Sequence, residues 1–233
     1  TYCTWKGLEI SNTYTVVGSV MGYAMIVYRS FNSEVLAGIL GSWVVSPFFS
    51  ITMAYLLHRI MRKLFNRFLD NAKFLRIITI SLTFALCFSA YSFGANDVGN
   101  ATGVYVAVTQ EVMGLPDFTT TLILSALGAI GIAVGGLTWG YRVIETVAFK
   151  IVRLDALSAL AAEVTNGLVV YLFVTIPYLY FGYGLPVSTS IVGIGAIIGA
   201  GMVGGRSMVD KKSCMASCNH LGSYYSGGGN DKC

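Results

Sequence analysis

Long apolar segments follow one another along this sequence and decide which folds it can form. Most of them approach the roughly 20 residues that a helix needs to cross the hydrocarbon core of a bilayer. They occupy residues 10–28, 35–57, 75–95, 97–113, 119–139, 157–182 and 187–205. Because lipid offers no partner to unpaired backbone groups, an open sheet is excluded and helices remain. The sequence therefore predicts an all-α, polytopic membrane protein.

The composition excludes a soluble globular domain. Hydrophobic residues make up 55% of the 233 residues and charged residues only 11%, against about 25% in ordinary globular domains. So few charges cannot cover so much apolar surface in water. The sequence also has no P-loop, no HExxH helix and no Gly-x-Ser-x-Gly elbow. We therefore expect neither an enzyme nor a nucleic-acid-binding protein.

Positive charges are concentrated in the stretch 58–76. This stretch has a single acid, Asp70, against six basic residues: Arg59, Arg62, Lys63, Arg67, Lys73 and Arg76. The positive-inside rule places such a loop in the cytoplasm, which predicts a multi-pass protein of the cell membrane. Residues 111–117 contain two acids and no base, in agreement with an outer position.

A polar cluster, "GANDVGNATG" (residues 94–103), separates two of the apolar segments. An ionisable group inside a membrane costs roughly 2.5–3.5 kcal/mol at the helix centre, so Asp97 would need a cation, a partner charge or water. We expect the helix to break at Asn96 and Asp97, because the neighbouring glycines permit bends. The alternative is an exposed turn at the membrane interface, since Asn, Asp and Gly are common turn residues.

An internal repeat links the two ends of the sequence. Residues 7–25 align without gaps to residues 184–202, with six identical positions. By the predicted sidedness the first copy leads outward and the second inward, which is the inverted arrangement of secondary transporters. Each copy begins with short polar side chains, where a helix start would offer free N–H groups to phosphate or sulfate. Chance similarity between glycine-rich helices and simple N-capping are the alternatives.

Two motifs together, "GANDVGNA" (94–101) and "GLPVSTS" (184–190), resemble the inorganic phosphate transporter (PiT) family. The stretches 139–151 and 157–167 are similar to the family's second half, so the resemblance covers residues 7–212. It implies a symporter that imports inorganic phosphate with sodium, or with protons in some members. It also implies inverted structural repeats with broken or re-entrant helices. A transporter of another oxyanion such as sulfate, or an anion channel, is the alternative.

The resemblance also implies binding residues. Phosphate would be bound by Ser188, Thr189, Ser190, Ser11, Asn12, Thr13 and Asn100. The cation would be bound by Asn96, Asp97, Asn100 and Glu163, whose oxygen atoms suit a hard ion. For Glu163 the alternative is a carboxylate near the membrane interface. Na+ or H+ is the coupling ion, and no other cofactor or metal is expected. The expected partners are inorganic phosphate, sodium ions and the lipid bilayer, and a homodimer is compatible with such a chain.

The sequence departs from the family pattern in three places, one of which is Ile191, where a polar residue usually follows the second motif. One GAND-like motif is present where the family has two, so we expect a fragment that lacks the start of the first repeat and the last helix. Such a fragment could be incomplete and inactive. The first polar motif reads "EISNTYT", where Glu9 would repel a nearby anion. We divide the chain into the end of the first inverted repeat with the basic loop (1–72), the second inverted repeat (73–212) and an irregular or disordered tail (213–233).

Overall fold

Helices account for most of the chain that the structure describes. The computed structural model describes residues 10–27, 29, 32–68, 71–114, 117–140 and 154–203. Its helices are α1 (Asn12–Val27), α2 (Ser33–Phe65), α3 (Ala72–Met113), α4 (Phe118–Gly135), α5 (Ala156–Phe181) and α6 (Thr189–Val203). A 3-10 turn (Asn66–Phe68) continues α2, and a π-helical turn (Gly136–Gly140) continues α4. These ranges contain no strand, and the all-α fold is confirmed.

Four of the described helices are long and apolar enough to cross a membrane. They run over Ser33–Phe68, Ala72–Tyr105, Phe118–Thr138 and Ala156–Phe181, which confirms a multi-pass membrane protein. Helices α1 and α6 have only 16 and 15 residues, which is short of a full span. The predicted division between residues 72 and 73 falls at the start of α3, and the predicted tail 213–233 lies outside the described residues.

Helix α3 is continuous where the sequence predicted a break. It runs for 42 residues from Ala72 to Met113 and passes through Asn96 and Asp97 without interruption. The predicted break, and the alternative of an exposed turn, are therefore wrong. Backbone groups in an apolar environment keep their helical hydrogen bonds, and the polar side chain of Asn96 finds partners in another segment. Helix α5 is likewise continuous, although it contains Pro177.

The basic stretch 58–76 is mostly helical rather than a loop. Three of its basic residues lie on the last turns of α2, one on the 3-10 turn and two on the first turns of α3. At this end of α2, the His58 Nδ1 atom lies 2.6 Å from the Ala200 carbonyl oxygen, and Arg62 donates to the Val203 carbonyl oxygen at 3.1 Å. The last carbonyl groups of a helix lack partners within it, so these contacts fix the end of α6 to α2.

Small residues bring α2, α5 and α6 into close contact. One buried cluster between them consists of four alanines: Ala54, Ala162, Ala196 and Ala200. A Cβ at Gly195 would lie 3.1 Å from the Pro47 carbonyl oxygen, and a Cβ at Gly199 would overlap the backbone of Ile51. Small residues of this kind permit the close helix approach that is common in membranes. Helices α2 and α6 run parallel, because successive positions of one contact successive positions of the other.

Helix α3 packs along α5 and runs in the same direction. Near their starts, Ile78 and Leu157 belong to one buried cluster. Further along, the rings of Phe88 and Tyr171 lie 5.8 Å apart between centroids. Because α5 also contacts α2 and α6, it connects α3 to the parallel pair. This arrangement positions the middle of α3 beside the coil that precedes α6.

Candidate functional site

The predicted site at Asp97 lies where the start of α6 meets the middle of α3. The coil before α6 is held by Asn96, which is only 4% exposed. The Asn96 amide nitrogen donates to the Val187 carbonyl oxygen at 3.0 Å, and its amide oxygen accepts from the Val187 backbone N–H at 3.2 Å. Val187 is fully buried, so its backbone groups require partners. One side chain of α3 supplies both.

The start of α1 joins the same place through Thr13. The buried Thr13 hydroxyl donates to the Val187 carbonyl oxygen at 3.0 Å and accepts from the Asn100 amide nitrogen at 2.9 Å. Asn100 lies one turn after Asn96, on the same face of α3. The Val187 carbonyl oxygen therefore accepts hydrogen bonds from both α1 and α3. We call Thr13, Asn96, Asn100 and Val187 the Val187 junction.

Asp97 lies beside this junction with only neutral partners. Its carboxylate accepts a hydrogen bond from the Asn96 amide at 2.8 Å and another from the Thr189 hydroxyl. The side chain is partly buried. In the described part of the chain, no Lys, Arg or His forms an ion pair with it. A carboxylate in an apolar environment without a cationic partner is a candidate for binding a cation.

Helices α1 and α6 start in the same way. The Ser11 hydroxyl oxygen accepts from the Tyr14 backbone N–H at 3.3 Å, and the Ser188 hydroxyl oxygen accepts from the Ile191 backbone N–H at 3.3 Å. These pairs occupy matching positions in the aligned repeats. Each serine is an N-cap, as the alternative reading of the motif expected. Both helix starts lie at the Val187 junction, so the positive ends of two helix dipoles are close together.

The predicted phosphate and cation ligands differ in which of their hydrogen-bonding atoms remain unpaired. Thr13 uses its hydroxyl both as donor and as acceptor, and Asn96 uses both atoms of its amide. Asn12 is exposed, whereas Ser190 is partly buried. Asn100 donates one of its two N–H groups to Thr13, which leaves the other N–H group and the amide oxygen available. The structure therefore brings the predicted residues other than Glu163 to the two helix starts but engages Thr13 and Asn96 in holding them.

Glu163 is separate from the other predicted cation ligands. The Ser89 hydroxyl donates to the Glu163 backbone carbonyl oxygen at 3.1 Å and is also within hydrogen-bonding reach of its carboxylate. The single hydrogen of this hydroxyl serves one acceptor at a time. Ser89 precedes Asp97 on α3 by eight residues, or about 12 Å along the helix axis. Glu163 and Asp97 therefore do not form one cation site in this structure.

Sequence reasoning missed two features of this region. The first is the Val187 backbone, which no side-chain motif could reveal because its partners Asn96 and Thr13 are 91 and 174 residues away. The second is a cleft of about 430 Å³ beside the junction, lined by Asn96, Asn100, Thr175 and Tyr178 among others. Thr175 and Tyr178 lie in the apolar segment 157–182, where nothing distinguishes them from residues that contact lipid. Their proximity to α3 follows from helix packing alone.

The sequence of this chain was compared with models of protein families. The model of the phosphate transporter family matches residues 1–217. The chain belongs to the phosphate transporter family. This membership confirms the resemblance seen in the sequence.

Several relatives in this family carry the name "Putative phosphate permease". One from Methanocaldococcus jannaschii is 30% identical over 209 residues, which cover 90% of this chain and 61% of that protein. Another from Thermococcus kodakarensis is 26% identical over 278 residues, covering 88% of this chain and 66% of that protein. The chain thus spans somewhat less than two thirds of the length of these relatives. No solved structure matches the chain significantly.

Proposed function

We propose that the protein containing this chain imports inorganic phosphate across the cell membrane, driven by an inward sodium gradient. Membership of the phosphate transporter family and the names of its relatives support phosphate as the substrate. The observation that carries the proposal is the meeting of two helix starts, those of α1 and α6, next to Asp97. The basic stretch 58–76 faces the cytoplasm in this proposal, by the positive-inside rule.

The two helix starts favour an anion as substrate. Free backbone N–H groups and positive dipole ends attract negative charge, and both helices contribute them at one place. Ser190 adds a hydroxyl group beside the first turn of α6, whereas the Thr189 hydroxyl donates to Asp97. No basic side chain is needed for such a site, because helix starts bind phosphate through neutral donors. We therefore assign phosphate to the space between these starts, with the second N–H group of the Asn100 amide at its edge.

The directions of α1 and α6 support an inverted repeat. The rings of Tyr14 and Trp43 are 4.1 Å apart, so α1 starts level with Trp43 of α2. Ser33 lies about 15 Å from Trp43 along α2, and Val27 lies about 20 Å from Tyr14 along α1. The five residues between Val27 and Ser33 make six Cα-to-Cα steps, which reach only about 20 Å. Helix α1 must therefore run toward the start of α2, which is opposite to α6.

Asp97 is the proposed site of the coupling cation. Its two hydrogen-bond donors are neutral, so a sodium ion would supply the positive charge that the carboxylate lacks. Carboxylate and amide oxygen atoms are ligands of the kind that hard cations prefer. A cation at Asp97 and an anion at the helix starts would also attract each other. This proximity gives a physical reason for transporting the two together.

Proton coupling through Glu163 is the second candidate, and the position of Glu163 supports this mechanism. Glu163 is partly buried and has only the Ser89 hydroxyl near its carboxylate in the described chain. A carboxylate of this kind within a membrane can take up and release a proton. Because Glu163 lies about 12 Å from Asp97 along the axis of α3, it would bind a proton at a site separate from Asp97. Sodium coupling therefore predicts that uptake depends on Asp97, and proton coupling predicts that it depends on Glu163.

Uptake in proteoliposomes tests this proposal. The full-length protein is reconstituted, and labelled phosphate uptake is measured with and without an inward sodium gradient, with sulfate as competitor. Asp97→Asn should abolish sodium-dependent uptake, because it removes the charge while preserving the shape. Asp117→Asn is a matched control, since Asp117 caps α4 outside this site and Asn is an equally good cap.

The outcomes separate the alternatives. Uptake that ignores sodium, follows pH and is lost in Glu163→Gln would replace sodium coupling by proton coupling. Full competition by sulfate would make the substrate a wider class of oxyanions. If Asp97→Asn retained wild-type sodium dependence, the assignment of the cation to Asp97 would be wrong.

A further inference from the structure

The chain between Phe173 and Leu185 leaves the helix bundle and returns to its starting point. The Leu185 backbone N–H donates to the Phe173 carbonyl oxygen at 3.2 Å. A Cβ at Gly184 would lie 2.8 Å from the Val174 carbonyl oxygen, so only glycine fits at this closure. Between these points α5 ends at Phe181, and its C-cap Gly182 reverses the chain with a φ of 78°. We call residues 174–184 the projection.

The projection forms one wall of the cleft of about 430 Å³ beside the Val187 junction. The opposite wall belongs to α3. The lining residues are Ala95, Asn96, Gly99 and Asn100 on α3, Val174, Thr175, Tyr178 and Gly184 on the projection, and Pro186 in the coil. Because Asn96 and Asn100 belong to the junction, the cleft leads directly to the helix starts. Its volume corresponds to roughly a dozen water molecules, which is enough for a hydrated oxyanion.

The chemistry of the cleft suits transient contact with an anion. Its lining has no charged side chain, so it neither repels an anion nor holds it tightly. Thr175 and Tyr178 supply hydroxyl groups, and neither has a hydrogen-bond partner among the residues described. The Asn100 amide nitrogen lines the same cleft and donates one of its two N–H groups to Thr13. Thr175 and Tyr178 therefore add two neutral donors at the entrance to the one that Asn100 has left.

The cleft opens at the end of the bundle that is remote from the basic stretch. Thr175 and Tyr178 lie in the last turns of α5, whereas the first residues of α5 lie close to the His58 end of α2. The distance from Asp155 to Thr175 is twenty residues, or about 30 Å along the axis of α5. If the basic stretch is cytoplasmic, the cleft faces the outer side of the membrane.

We propose that this cleft is the outer vestibule of the transporter, in which Thr175 and Tyr178 make the first contacts with the oxyanion. The inference rests on the proposed function, which supplies the sidedness and the class of substrate. Phosphate in its hydrated form enters between α3 and the projection, exchanges water for the two hydroxyls, and moves past Asn100 to the helix starts. Thr175 and Tyr178 then affect how readily substrate enters, and Asp97 affects how it is coupled.

Cysteine labelling tests the position of the vestibule. In the full-length protein with its native cysteines replaced, Tyr178→Cys is treated with a membrane-impermeant thiol reagent from either side of oriented vesicles. Labelling should occur from outside and should slow when inorganic phosphate is present. Tyr180→Cys is the matched control, because Tyr180 is on the same projection, 80% exposed, and does not line the cleft. It should be labelled from outside at the same rate with or without phosphate.

Transport kinetics test the two hydroxyls. Thr175→Val and Tyr178→Phe remove one hydroxyl each and keep the side-chain shape. Each should raise the KM for phosphate by about 2- to 10-fold, the range expected for one neutral hydrogen bond, and leave kcat and sodium dependence unchanged. A change in kcat with unaltered KM would contradict a role in entry.

The labelling result is separable from the result for the proposed function. If the wild type transports phosphate but Tyr178→Cys is labelled only from inside, or without protection by phosphate, the vestibule is wrong and the function stands. If the wild type transports no phosphate, while sulfate protects Tyr178→Cys from outside, the vestibule stands and the substrate assignment is wrong.

Discussion

Replacing Asn96 by alanine should loosen the start of α6 more than any other single polar change at the junction. The Val187 backbone N–H would lose its partner, and an unpaired buried backbone group costs about 1–3 kcal/mol. The Val187 carbonyl oxygen would keep the Thr13 hydroxyl and lose only one of two hydrogen bonds, at about 0.5–1.5 kcal/mol. Together these losses lower the free energy of unfolding by about 1.5–4.5 kcal/mol.

Thermal unfolding of the purified full-length protein in detergent measures this effect. A loss of 1 kcal/mol lowers the Tm by about 2 °C, at the low end for chains of this size, so Asn96→Ala should lower the Tm by about 3–9 °C. Thr13→Val should lower it by less, because Asn96 still holds both backbone groups of Val187. Asn12→Ala, the same change at an exposed position, should stay within about 0.5 kcal/mol of the wild type.

The comparison among these three variants can refute the reasoning. If Asn96→Ala shifts the Tm no more than Asn12→Ala, the side chain of Asn96 does not hold the coil before α6. If Thr13→Val shifts it more than Asn96→Ala, the main support of Val187 comes from α1 rather than from α3.

Three further results are expected from the same unfolding assay. Gly199→Ala should destabilise strongly because its Cβ would overlap the backbone of α2, whereas Gly18→Ala should not, since Gly18 faces open space; equal effects would contradict the close packing. His58→Leu should cost about 1–3 kcal/mol by freeing a buried carbonyl group of α6, and an unchanged Tm would show that this contact is dispensable. Burial alone would raise the pKa of Asp155, but hydrogen bonds from Ser158 and the charge interaction with His58 hold that pKa below its ordinary value of 3.8. The ionised carboxylate therefore stabilises the fold fully above pH 3.8, and this stabilisation is lost as the pH falls through the lower folded pKa. The Tm difference between wild type and Asp155→Asn should be constant from pH 7 to 5 and shrink only below pH 4; a loss between pH 7 and 5 would contradict the lowered pKa.

The positions of apolar helices were predictable because hydropathy is a local property, although α2 continues beyond the predicted residue 57 to Phe65. The apolar segments 35–57 and 157–182 appear as parts of α2 and α5, and both helix starts with polar motifs begin within a residue of Ser11 and Ser188. A serine caps the following turn through its nearest backbone groups, so no distant contact is required. The break at Asp97 was wrongly predicted for the same reason. Turn-forming residues were weighed without knowing that Asn96 has a partner elsewhere.

The sequence by itself determined that the chain is an all-α membrane protein of the phosphate transporter family, because composition and motif are read along the chain. Only the tertiary structure decided what the polar residues contact. It pairs Asn96 with Val187, which is 91 residues away in the sequence. It also places Thr13 of α1 in hydrogen-bond contact with Val187 and with Asn100 of α3, and it separates Glu163 from Asp97. It also sets Thr175 and Tyr178 beside the site. These outcomes depend on how the helices pack, since a hydrogen bond needs two groups within about 3 Å of each other.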